Sequence, residues 1–150
     1  MRKIIPFVLL IIILNSACEK DDFCIQNPVT PKLILRFYDE ANRSSLKAVN
    51  ELYVWAENKD SLFVNISTDS LVIPLNTNNN QTIYNLSKGN IVEQFTIDYT
   101  PKNEYVSRSC GFKIIFNDVN FTPNNNWISD FTALETSIEN QNSAHVQIFH

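Results

Sequence analysis

Three cysteines, at positions 18, 24 and 110, carry the reactive side chains whose spacing is most informative in this chain. If Cys18 is engaged otherwise, Cys24 and Cys110 are left to pair, closing a loop of 87 residues. In the chain-entropy account such a bridge is worth about 4–5 kcal/mol, and it requires an oxidising compartment. A redox or nucleophilic Cys110, its thiolate favoured by Arg108, is the other reading. His145 and His150 are five apart, which places them on opposite faces of a strand, so one strand cannot offer both to a metal. They read as surface or terminal residues. Asp21-Asp22, Asp39-Glu40 and Asp130 read as solvated loop acids rather than calcium ligands, since the EF-hand spacing is absent. Glu93 interrupts an apolar face. An ion pair with Arg36 or Arg108 is expected for it, with a sheet edge or a pocket as alternatives. Gly89 and Gly111 are the only glycines, which excludes a glycine-rich phosphate loop and a Gly-x-Ser-x-Gly nucleophile elbow. No catalytic set, metal or cofactor is expected.

Aromatic residues offer a different chemistry. Tyr38, Tyr53 and Trp55 fall on the outward phase of two early strands, where rings can stack on sugars or meet a protein. Tyr53 and Trp55 are therefore candidate ligand-binding residues.

The elements that must hold these residues read as β. Lys32–Tyr38 alternates, with Leu33, Leu35 and Phe37 on one face. Leu52, Val54 and Ala56 do the same against Tyr53 and Trp55. Leu62–Ile66 and Ser70–Leu75 are short apolar runs around a turn at 67–69, and Pro74 marks the second as an edge or ending strand. Strands are also expected at 82–86, 91–99, 112–116 and 144–149, with turns at 76–80, 101–103 and 122–126. For 127–133 a short helix or turn is expected, then a strand at 134–139 forming a hairpin with 144–149. Short runs of period two, punctuated about every 8–12 residues, give an all-β fold: one immunoglobulin-like or transthyretin-like sandwich of about seven to eight strands over 31–150. Hydrophobic content of 44% supports a packed core, and a net charge of −4 does not suit a basic nucleic-acid binder. Asparagine is abundant, 20 residues, several in expected turns where it replaces glycine.

Ahead of that domain, Arg2 and Lys3 precede an apolar run of 11 residues, Ile4–Leu14, too short to span a bilayer and the length of a signal-peptide core. Ser16-Ala17-Cys18 resembles the lipobox of bacterial lipoproteins, which implies cleavage after residue 17 and acylation of Cys18. An ordinary secretory signal cut near Ala17, leaving Cys18 free, is the other reading. Cleavage removes two basic and no acidic residues, leaving 10 basic against 16 acidic and a net charge of −6. Residues 18–30 then form the lipidated start and linker. Lys20-Asp21-Asp22 resembles the export signal of surface lipoproteins in the Bacteroidetes, with a plain solvated linker as the alternative. Asp60-Ser61-Leu62 and Asp69-Ser70-Leu71 match the O-glycosylation signal of the same bacteria, at Ser61 and Ser70.

Five segments, 18–24, Thr30–Asp39, Thr68–Leu75, Ser107–Lys113 and His145–His150, resemble an uncharacterised family of small Bacteroidetes lipoproteins. The resemblance implies a lipoprotein with a single β-domain and brings no activity. The expected function is a non-enzymatic interaction or accessory module of an envelope complex. Its site is the outer membrane, at the cell surface or on the periplasmic face, with an outer-membrane protein as partner. A glycan-binding surface module is the alternative.

Overall fold

A computed structural model describes Cys24 and residues 29–150. The signal segment 1–17, Cys18 and Lys20-Asp21-Asp22 lie outside the described residues. The chain divides into two compact units: Val29–Glu104 with Ile114–His150, and Met1–Pro28 with Tyr105–Lys113.

The strands are β1 Leu33–Tyr38, β2 Val49–Ala56, β3 Ser61–Thr68, β4 Ser70–Ile73, β5 Gln81–Lys88, β6 Ile91–Ser107, β7 Gly111–Pro123, β8 Asp130–Ala133 and β9 Val146–Phe149. They form a four-stranded sheet, β4-β1-β9-β8, and a five-stranded sheet, β3-β2-β5-β6-β7, arranged as a sandwich. No helix occurs among the described residues. The all-β expectation holds, with nine strands. β1 pairs antiparallel with β4 and parallel with β9, so the first and last strands lie side by side in the four-stranded sheet.

The alternating residues of the sequence become the core. Leu33, Leu35 and Phe37 are fully buried while Ile34, Arg36 and Tyr38 are half-buried. Leu52, Val54, Leu86, Phe95, Ile97, Val146 and Ile148 join them. Tyr99 meets Phe116 edge to face at 5.0 Å, and Phe95 stacks on Phe121 at 5.7 Å. The β5–β6 turn needs Gly89, whose φ of +57° is a left-handed conformation at the first central position of a two-residue loop. Elsewhere asparagine takes that role: Asn58, Asn65 and Asn125 all have positive φ. Among the asparagines of the expected turns at 76–80 and 122–126, Asn125 alone does so.

Two local expectations are corrected. The turn at 101–103 does not form, because β6 continues through Pro101 to Ser107. The β5 ladder leaves β6 at Asp98, and proline is tolerated beyond it because one side of the strand no longer needs a donor. The hairpin partner of β9 is also displaced. Residues 130–133 pair with 146–149, Asp130 opposite Phe149, and 127–133 is not helical. Residues 134–139 turn to β7 instead: Ile138 and Phe116 exchange backbone hydrogen bonds of 2.7 and 3.1 Å. Ile138 is thereby fully buried while Leu134 is exposed.

The second unit contributes Cys24 and residues 105–113. Cys24 and Cys110 form a disulfide with a Cα–Cα separation of 4.8 Å. The Cys110 N–H donates to Ser107 Oγ across the turn at 3.1 Å.

Candidate functional site

The histidines, read from the sequence as surface or terminal residues, are both buried. His145 precedes β9, where strand alternation does not apply. Its Nδ1 accepts from the Ile34 N–H at 3.0 Å, and its Nε2 lies 3.0 Å from the Asn140 carbonyl, so the ring is a neutral clamp. His150 has its Nε2 3.2 Å from the Lys47 carbonyl and its Nδ1 3.1 Å from Lys88 Nζ. Its ring lies edge-on to Phe37 and Trp127. Burial lowers both imidazole pKa values from the usual 6.5.

Protonating His145 at Nδ1 would also break the bond to Ile34. The unfolded chain therefore binds more protons than the folded one in the interval below pH 6.5, and stability falls as pH drops through it. Urea melts at pH 7.5 and 5.5 should show this loss, and His145→Gln should reduce the pH slope. Equal stability at the two pH values would count against the clamp.

Glu93 is fully buried, as its inward phase requires, but neither expected arginine holds it. Its carboxylate accepts from the backbone N–H groups of Asn125, Asn126 and Trp127 at 2.9, 2.7 and 3.2 Å. The left-handed Asn125 helps turn these amides toward it. The anion-accepting loop is thus filled by the protein's own side chain. Of the acids considered for calcium, the described ones, Asp39, Glu40 and Asp130, are also engaged. Asp39 meets Lys47 at 2.8 Å, while Arg43 bridges Glu40 and Asp130 at 2.6 and 2.7 Å. Lys47 and Arg43 hold the carboxyls of Asp39 and Asp130 below the usual range. No metal-binding group of three or more His, Cys, Asp or Glu occurs among the described residues. Tyr38 keeps its outward phase on the four-stranded sheet, where its ring packs on that of its register partner Phe149 at 5.9 Å.

Tyr53 and Trp55 stay together on the outer face of the five-stranded sheet. Tyr53 lies opposite Ser87, and Trp55 opposite Asn85 on one side and Ser61 on the other. Both rings are half-buried and line a depression of about 470 Å³ with Lys59, Asp60, Ser61 and Ser87. A second depression of about 720 Å³ shares Lys59 and Asp60 and includes Leu62, Leu75 and Tyr84. Ser61 is exposed, whereas Ser70 is half-buried between Leu71 and a side-chain bond from Thr68.

The sequence reading placed the neighbouring strand at Leu62–Ile66 but did not see that it carries exposed apolar side chains. β3 is the edge of its sheet, and Phe63 turns inward opposite Val54. Leu62 and Val64, on either side of it, are 46% and 61% exposed. Three register shifts separate β3 from β2, with Glu51 and Asn65 at positive φ. Such bulges reset the side-chain phase. The signal was present: 62, 63, 64 and 66 are all apolar, so one strand face could not bury them all.

No curated protein matches the chain, and no solved structure does. The Tyr53–Trp55 depression, β3, Glu93, Cys110 and both histidines fall within residues 51–150, which match the model of a family of unknown function, DUF6452, and the chain belongs to that family.

Proposed function

We propose that the protein is a lipid-anchored module of the bacterial outer membrane, acylated at Cys18 and exported by Lys20-Asp21-Asp22 to the cell surface. There it acts by holding a protein partner in an envelope complex and carries out no catalysis. The sequence motifs support the anchor. The observation that carries the interaction is the β3 edge, where Leu62 and Val64 are exposed on a strand that has a sheet neighbour on one side only among the described residues. An open apolar edge is a surface another chain can cover by adding a strand. Burying both side chains is worth about 3 kcal/mol or more, so lysines there should weaken a partner at least a hundredfold. Gentle detergent extraction of the lipidated protein should bring down a stoichiometric envelope protein. Leu62→Lys with Val64→Lys should lose it while leaving the fold within about 0.5 kcal/mol, as surface changes do. A solitary wild-type lipoprotein would sink the proposal.

A glycan-binding module is the second reading, favoured by the pairing of Tyr53 and Trp55 with Lys59 and Asp60 around one depression. Rings can stack on sugar C–H faces while the polar groups meet hydroxyls. Ser61 lines the same depression, so a glycan attached there would occupy the place of a bound one. Intact glycopeptide masses separate these uses of Ser61, and Trp55→Ala should abolish binding in a glycan titration.

A further inference from the structure

The β6–β7 turn exposes apolar surface that the β3 edge and the Tyr53–Trp55 depression do not use. Tyr105 is 60% exposed and Phe112 63%, the largest exposure among the big apolar side chains described. Their rings meet edge to face at 5.4 Å, forming one aromatic projection. Arg108 and Lys113 lie in the same segment, and Glu104 directly precedes Tyr105. Exposed aromatic rings with polar neighbours suit the headgroup level of a bilayer, where the ring body is buried and polar ends stay wet.

The disulfide supplies the second argument. Cys110 is bonded to Cys24, and Cys24 follows Cys18 by six residues. Six residues reach at most about 20–22 Å when fully extended. With the 4.8 Å Cα–Cα span of the bridge added, Cys110 is tethered within about 27 Å of the acyl-bearing residue, where even weak partitioning is favoured by high effective concentration. We propose that Tyr105 and Phe112 seat in the headgroup region of the membrane in which the Cys18 acyl chains are anchored. The proposal rests on the lipoprotein reading. It gives the bridge a role in fixing which part of the protein meets the lipid.

The test uses the full chain from an acylating host, reconstituted in phosphatidylethanolamine–phosphatidylglycerol vesicles. Intact mass first establishes whether Cys18 carries acyl chains. Phe112→Trp is then compared with wild type, whose Trp55 and Trp127 provide the background emission. The emission added by residue 112 should be lost with lipids brominated near the headgroups and shielded from aqueous iodide. Tyr105→Trp gives the same readout if the first variant does not fold. Acylated protein whose added indole stays open to iodide and insensitive to brominated lipid overturns the docking alone. A mass without acyl chains overturns the lipoprotein reading and the proposal together.

Discussion

Replacing Cys24 and Cys110 together by serine should lower the unfolding free energy by about 4–5 kcal/mol. The loop they close has 87 residues, so the bridge removes much of the freedom of the unfolded chain. That loss is comparable with much of the stability of an ordinary domain, about 5–15 kcal/mol. Both cysteines are changed at once because a single replacement leaves a thiol able to form mixed disulfides. Urea unfolding of the oxidised wild type and the double variant gives the difference. The variant should also show a larger dependence on urea, since its unfolded state is more expanded. A loss below about 1 kcal/mol would show that the unfolded ensemble is already compact around this loop, and the entropic account would fail.

The parts of the fold that were legible share one property: each strand keeps a single phase. β1 reads buried, half-buried, buried along its whole length, and β6 does the same from Glu93 to Tyr99. A strand with one phase announces its core face in sequence. β3 does not, because its bulges shift the phase within eight residues, and the exposed Leu62 and Val64 were hidden in what read as an apolar run. The 127–138 stretch misled for a related reason. Trp127, Ile128 and Ile138 are buried from irregular segments, so their spacing mimics a helical face without a helix. His145 shows a third cause. Its burial depends on Ile34 and Asn140 at separations of 111 and five residues, which no local pattern encodes. The cysteine pair was legible because the lipobox resemblance at Cys18 set that residue aside and left two of the three cysteines to pair. Tyr53 and Trp55 were legible because β2 and β5 stay in register across both.

Glu93→Ala should destabilise the protein by on the order of 3–5 kcal/mol. Sequence phase alone placed this carboxylate inward, and its partners explain how the fold tolerates it. Three backbone N–H groups converge on it from a loop with no regular hydrogen-bonding of its own. Asn125 and Asn126 are exposed and can turn to water once the carboxylate is gone, but Trp127 N–H is buried and cannot. The removed side chain also leaves a cavity in the core. The Glu93 contacts further fix Trp127, whose indole N–H donates to the Leu86 carbonyl at 2.9 Å and whose ring packs on Phe37 and His150. Faster hydrogen exchange at the Trp127 indole should therefore accompany the lost stability. Glu93→Gln keeps the shape and one acceptor but points an amide N–H₂ at the loop's donors, so it should cost about half as much. Alanine and glutamine variants both within about 1 kcal/mol of wild type, with indole exchange unchanged, would mean that water satisfies the loop and that Glu93 does not hold it.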